Sequence, residues 1–355
     1  MRVGILTSGG DCQALNATMR GLALTLYRNV KDVEIIGFID GYKGLMCEKY
    51  KKMKPKDFYD ILNVGGSILG NSRCPFKRMR IIENGFDKVK AMKNTYKKLE
   101  LDCLVVLGGN GSIKSANMLS QEGLNVIALP KTIDNDAWGT DYTFGYSSAT
   151  AIATRYLDEI KTTAASHSRV FVIEVMGHKV GHICLSAGIA AGADVILLPE
   201  IPYDIKVVAK KVKETLKNEK NYAIIACAEG AISEADALMK RKDYKAKVLA
   251  RNGRSVAYEV ADELSQEIDA EIRVSCIGHA QRGGNPNSYD REISTRFGVE
   301  GARLIIKKHY GEYVVLQGNH VTHIPLEATA GKLKYVDTEG EIVQSAKLVG
   351  ISFGE

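Results

Sequence analysis

Two carboxylates two residues apart, Asp134 and Asp136, lie in the run Pro130-Lys131-Thr132-Ile133-Asp134-Asn135-Asp136. In an extended or turning segment, one of them can meet a substrate hydroxyl while the other faces a metal ion. Lys131 stands beside them as a cation for an anionic substrate. Phosphoryl transfer needs both tasks: a base for the attacking hydroxyl, and Mg²⁺ to neutralise the phosphates. An Asx-turn loop has a similar composition, so the run alone does not decide its role.

Three further loops carry chemistry of the same kind. Thr7-Ser8-Gly9-Gly10-Asp11 follows an apolar run and precedes a helical pattern. Glycines there let the backbone approach a phosphate, and a helix N-terminus adds a favourable dipole. A tight strand–helix turn has the same signature. Gly108-Gly109-Asn110-Gly111-Ser112 opens a second helical pattern and reads as a phosphate cradle, with Ser112 near the N-cap. It is neither a Walker motif nor GxGxxG. In Gly278-His279-Ala280-Gln281-Arg282-Gly283-Gly284, His279 and Arg282 suit a phosphate monoester, because arginine binds such oxygens bidentately. Arg169, Arg273, Met176-Gly177-His178 and Glu229 stand at the ends of other apolar runs. An isolated Arg or Glu at such a place is usually a surface ion pair; the shared location at strand ends favours function.

The elements that position these loops alternate regularly. Short β-branched apolar runs at 3–6, 33–38, 104–107, 126–129, 170–175, 195–198, 223–227, 272–277 and 313–316 read as strands. Amphipathic stretches at 14–27, 86–99, 113–120, 147–162, 205–217, 255–267 and 294–309 read as helices. This order predicts an α/β fold of two doubly wound lobes with mainly parallel sheets. Such folds bind ligands at the carboxyl ends of strands, so the active site is expected in a cleft between the lobes.

Composition excludes several classes. The chain has 355 residues, 45% hydrophobic and 25% charged, enough for a large core in two lobes. The net charge of +6 is spread out, with only short clusters such as Lys51-Lys52, so a nucleic-acid partner is not expected. Cys12, Cys47, Cys74, Cys103, Cys184, Cys227 and Cys276 are odd in number and form no CxxC pair. They read as reduced, buried thiols of a cytoplasmic protein. The N-terminus reads as a first strand and not as a signal peptide, and no apolar run is long enough to suggest a membrane span.

Together the residues resemble the 6-phosphofructokinase family. The matching pieces are TSGGD, DGYKGL, GNSRCP, GGNGS, PKTIDND, EVMGHKVG, AEGA and GHAQRGG, in the family's order from residue 7 to residue 284. The resemblance implies Mg²⁺-dependent transfer of the ATP γ-phosphoryl to the 1-hydroxyl of fructose 6-phosphate. Gly10, Arg73, Cys74, Gly109, Asn110, Gly111 and Ser112 would hold the donor. Asp134 would be the base, with Lys131 as its catalytic partner and Thr132 beside it, and Asp136 would engage Mg²⁺. Met176, Gly177, His178 and Glu229 would face the sugar, while Arg169, Arg273, His279 and Arg282 would bind its phosphate. Arg169 and Arg273 would reach in from a neighbouring subunit of a homotetramer. Residues 1–140 with about 280–325 would form the donor lobe, and about 141–279 with 326–355 the sugar-phosphate lobe.

The chain departs from the family pattern in three ways. Asn110 stands where the family usually has Asp, which keeps an oxygen ligand for the metal but loses its charge. Lys131 and His178 replace the Gly and Arg of many bacterial ATP enzymes. Leu24 and Pro55 replace arginines of an effector pocket, so regulation by ADP and phosphoenolpyruvate is not expected. For the donor, two positions disagree. Gly111 leaves room for adenosine and the α-phosphate, whereas Lys131 is typical of pyrophosphate enzymes. The steric criterion acts directly on the nucleotide, which favours ATP over pyrophosphate. A lipid or NAD kinase lacks the GHxQRGG set. A catalytically weak regulatory paralogue is the alternative that Asn110 and His178 suggest; retention of both Asp134 and Asp136 speaks against it.

Overall fold

The computed structural model describes residues 1–218, 220–329 and 331–355. The chain divides into two compact units, Met1–Ser148 with Arg282–Lys334 and Ala149–Gln281 with Tyr335–Glu355.

The first unit is built on a seven-stranded sheet in the order β11-β10-β5-β4-β1-β2-β3. Its strands are β1 (Arg2–Ser8), β2 (Glu34–Phe38), β3 (Tyr50–Met53), β4 (Cys103–Gly108), β5 (Val126–Pro130), β10 (Glu312–Gln317) and β11 (His320–Pro325). Strands β4 and β5 are buried at every position, because helices cover both faces of a parallel sheet. The two edge strands, β3 and β11, pair antiparallel with β2 and β10. Their sequences, YKKM and HVTHIP, carry no apolar run, and they were not among the expected strands. Lysine on an exposed edge discourages further strand pairing, so the same composition that hides β3 from pattern reading suits its position.

The register of the central strands positions the loops. Ser8 at the end of β1 pairs with Gly108 at the end of β4, and Gly108 pairs with Pro130 at the end of β5. Three loops that looked chemical in the sequence therefore leave adjacent parallel strands at one level. The chain winds from β1 to β2 in one direction and to β4 in the other, so the strand order switches between β1 and β4, where open α/β sheets bind ligands.

The second unit holds a four-stranded sheet in the order β7-β8-β6-β9, formed by β6 (Val170–Val175), β7 (Val195–Leu197), β8 (Ala223–Ala228) and β9 (Ile272–Cys276). All its pairs are parallel. Glu174 of β6 lies opposite Cys227 on one side and Cys276 on the other, so the loops after these strands also leave at one level. The fold class is as expected, α/β with mainly parallel sheets. Of the cysteines expected to be buried, Cys12, Cys103, Cys184 and Cys227 are, but Cys47 and Cys276 are exposed, because Cys47 ends a short helix and Cys276 ends the partly buried strand β9. Shorter helices at His182–Ala190, Arg241–Ala250 and Glu341–Leu348 add to the seven anticipated ones.

Candidate functional site

A cavity of about 330 Å³ opens in the first unit at the carboxyl ends of β1, β4 and β5. Gly10, Arg73, Cys74, Gly109, Asn110, Gly111, Ser112, Lys131, Thr132, Asp134, Asp136 and Arg282 line it, so every residue assigned to donor, base or metal meets there. Arg282, assigned to the sugar phosphate, lines this cavity as well.

The cradle begins at Gly109, the N-cap of the helix Asn110–Gln121. The first N–H groups of a helix have no intrahelical acceptor and carry its positive end, so they offer hydrogen bonds to an anion. The Tyr42 hydroxyl, which is buried, fixes the first turn by donating to the Ser112 carbonyl at 2.8 Å. A Cβ added at Gly111 would meet nothing within 4 Å, so the space beside this position is open. Gly10 is different: a Cβ there would overlap the Arg282 guanidinium. Glycine at position 10 is what allows Arg282 to lie against the loop.

The carboxylate loop is held by residues that pattern reading passed over. Asn135 has φ of +52°, in the left-handed region that asparagine tolerates better than most residues. Its Oδ1 accepts the Thr143 N–H at 3.1 Å. The Thr143 hydroxyl in turn donates to the Thr132 carbonyl at 2.7 Å. The fully buried Asp290 anchors the chain just beyond: it accepts from the Tyr142 hydroxyl at 2.8 Å, the Gly145 N–H at 2.9 Å and the Ser148 N–H at 2.8 Å. In sequence Asp290 is legible only as part of a helix start, where Asn287 caps its N–H at 2.9 Å. Asp134 is half-buried, and its N–H donates to the Thr132 hydroxyl at 3.1 Å.

The electrostatics are those of a poised site. Lys131 is only 4% exposed, and its ammonium donates to the Gly10 carbonyl. Burial lowers its pKa and Arg282 adds to this, while Cys12, Asp134 and Asp136 pull it back up. Burial, reinforced by Asp134, pushes the Asp136 carboxyl up to about 6. Asp136 Oδ1 and Arg282 Nε are both buried without a hydrogen-bond partner. A buried carboxylate oxygen left open in this way fits a cation ligand. Among the described residues no group of three or more His, Cys, Asp or Glu is arranged to hold a metal, so phosphate oxygens and water would have to complete the shell. Asp11, Pro75 and Phe76 also line the cavity and were not singled out. Phe76 is an exposed aromatic in the run after GNSRCP, which is the signal that could have found it.

The second unit has its own, larger cavity of about 760 Å³, and His178 and Glu229 both line it. Met176, Gly177, Arg273 and His279 do not. The Met176 N–H donates to Gln281 Oε1 at 3.2 Å, and Gln281 Nε2 donates to the Gly278 carbonyl at 3.2 Å, so a fully buried Gln281 ties the loop after β6 to the loop after β9. His279 is exposed. Arg169 and Arg273 converge on Glu271, which takes Arg169 Nε at 2.7 Å and also pairs with Arg273. The two arginines are therefore brought together, apart from the cavity residues.

Comparison with known proteins bears on this geometry. A family model described as "Phosphofructokinase" matches residues 2–305. A protein of Spirochaeta thermophila named ATP-dependent 6-phosphofructokinase is 46% identical over 356 aligned positions, covering 99% of this chain and 97% of its own. One of Bacteroides thetaiotaomicron, named ATP-dependent 6-phosphofructokinase 3, is 42% identical with both chains covered completely. Among solved structures, phosphofructokinase from Saccharomyces cerevisiae superposes with a TM-score of 0.79 at 28% identity, covering 92% of this chain and 45% of the longer yeast chain. Pyrophosphate-dependent phosphofructokinase from Nitrosospira multiformis gives a TM-score of 0.81 at 20% identity, covering 96% of this chain and 87% of that one, a likeness of fold alone.

Proposed function

The chain belongs to the phosphofructokinase family, and from that premise we propose that it is a 6-phosphofructokinase that moves the γ-phosphoryl of ATP to the 1-hydroxyl of fructose 6-phosphate. The observation that carries this reading is the sharing of one cavity by Asp134, Asp136, Lys131, Arg282 and the N-terminus of the helix Asn110–Gln121. Phosphoryl transfer depends on positioning and on charge stabilisation, and this cavity supplies both.

Asp134 takes the proton of the attacking hydroxyl. Its N–H bond to Thr132 and the strained turn at Asn135 hold it in place. Lys131, held at the Gly10 carbonyl, lies among the three loops and offers its charge to the transferring group. The first turn of the helix Asn110–Gln121 and Arg73 receive the donor phosphates, and Phe76 offers an aromatic face at the cavity for the base. Asp136 and Asn110 would hold Mg²⁺, which when bound neutralises phosphate charge; the open Asp136 Oδ1 supports this. In the second unit, Met176, Gly177, His178 and Glu229 face the sugar and His279 binds its phosphate; in the first unit Arg282 serves as a phosphate ligand. Arg169 and Arg273, paired side by side on Glu271, serve the site of a neighbouring subunit in a homotetramer. Among the described residues no helix is long and apolar enough to cross a membrane; cytoplasmic location is part of this reading.

ATP is favoured as donor by the open space at Gly111 and by the names of the relatives. Pyrophosphate remains the second reading because of Lys131. A coupled assay with fructose 6-phosphate, Mg²⁺ and either donor decides between them. Turnover with ATP and little with pyrophosphate is expected; the reverse would overturn the donor assignment, and no turnover with either would favour a regulatory paralogue.

A further inference from the structure

Asparagine at position 110 has a structural cause that lies far away in sequence. Residues 332–334 run as a short strap against two of the cavity loops. Leu333 forms an antiparallel bridge with Ala137. The Lys334 N–H donates to the Asp136 carbonyl at 2.9 Å. The Asn110 amide, from Nδ2, donates to the Lys332 carbonyl at 3.0 Å. The strap is itself fastened: the Lys334 ammonium donates to the carbonyls of Thr140 and Asp141, each at 2.9 Å, and Lys332 lies over the Trp138 ring at 5.6 Å. One short segment thus bonds to both residues assigned to the metal.

The direction of the Asn110 bond is not ambiguous. A backbone carbonyl only accepts, so the amide nitrogen must face Lys332, and Oδ1 is the arm left to serve the cavity that Asn110 lines. An aspartate at this position has no N–H to give. It would either set a carboxylate oxygen against the Lys332 carbonyl or swing away from it.

We propose that the strap 332–334 is a positioning element that fixes Asn110 Oδ1 and the Asp136 loop in register, and that it makes asparagine the working residue at position 110 in this chain. The inference rests on the assignment of Asp136 and Asn110 to the metal. It opposes the expectation from charge alone, by which an added carboxylate binds a divalent cation more tightly. Partners that orient a ligand commonly matter about 10–100-fold in metal affinity.

The test measures Mn²⁺ affinity by electron paramagnetic resonance, with a non-hydrolysable ATP analogue bound, for the intact chain and for Asn110→Asp, Asn110→Ala and Lys334→Pro. Aspartate favours a helix N-terminus, so Asn110→Asp is expected to fold and to melt at an unchanged temperature. Its Mn²⁺ affinity is expected to fall about tenfold, to the level of Asn110→Ala. Lys334→Pro, which removes the N–H to Asp136, is expected to weaken Mn²⁺ several-fold. Tighter Mn²⁺ binding by Asn110→Asp than by the natural chain would overturn the proposal, as would unchanged affinity in Lys334→Pro. A natural chain that binds no Mn²⁺ with the analogue would instead remove the metal assignment beneath it.

Discussion

The two cavities hold their charges in opposite ways. In the first unit, Asp136 Oδ1 and Arg282 Nε are buried and unmatched, and Lys131 is spent on a carbonyl instead of a carboxylate. In the second, the two arginines that line the larger cavity are paired. Arg251 forks onto Glu259 at 2.5 and 2.7 Å, Arg254 meets Asp262 at 2.9 Å, and nearby Lys247 meets both oxygens of a buried Asp236 at 2.8 and 2.6 Å. Unmatched buried charge costs stability and is kept where a ligand completes it; matched charge serves as scaffold. The first unit's cavity is thus organised for chemistry, and the paired arginines in the wall of the second cavity for shape.

The largest expected effect tests the chemical side. Asp134→Asn should lower kcat by about 10²–10⁴-fold with little change in KM, because a base acts mainly in the transition state. Near-normal turnover would break the assignment of chemistry to the first unit. Next, Gly111→Asp should fold normally, since the added side chain enters open space. It should cut kcat/KM for ATP about 100-fold by blocking and repelling the nucleotide, and steady-state kinetics with ATP and with pyrophosphate would show it. Unchanged ATP kinetics would sink the steric argument.

A stability measurement sharpens the contrast further. The Asp136 carboxyl moves from an ordinary 3.8 to about 6 on folding. The folded state therefore holds this proton more tightly than the unfolded chain, and ionisation costs stability as pH rises through that window. The cost is absent below about 3.8 and complete above about 6. Without metal or nucleotide, Asp136→Asn should raise stability at pH 7 by up to about 2–3 kcal/mol, with the gain fading towards pH 4. Chemical denaturation at the two pH values reads it, and a loss of stability at pH 7 would contradict the account. The smallest effect belongs to the second unit. Lys247→Met should cost about 1–2 kcal/mol of stability by leaving Asp236 unmatched, with kcat unchanged. A large drop in kcat would show that this wall is more than scaffold.

Much of this was readable in the residues. The nine expected strands are present, because strands covered on both faces must be apolar runs; β9, only partly buried at its sheet edge, is legible from its β-branched Ile272 and Val274. The edge strands β3 and β11 escaped because an edge has one paired side and tolerates lysine and histidine. The helix His182–Ala190 escaped for the opposite reason: HICLSAGIA has no polar face to give it a period. At the site, glycines, Lys131 and the two aspartates announced themselves by type and spacing. Asn135, Asp290 and Gln281 did not, since their work is done through single hydrogen bonds to backbone groups that pattern cannot reveal.

By itself the sequence determined the α/β class, the loops that carry chemistry and the family resemblance, since these depend on local composition and order along the chain. Tertiary structure alone decided which loops meet. Strand register brought Ser8, Gly108 and Pro130 to one level. Return of the chain after residue 282 set Arg282 against Gly10 and, through the strap at 332–334, fastened Asn110 to Lys332. These contacts join residues more than two hundred positions apart, and their geometry exists only once the sheet has fixed both ends.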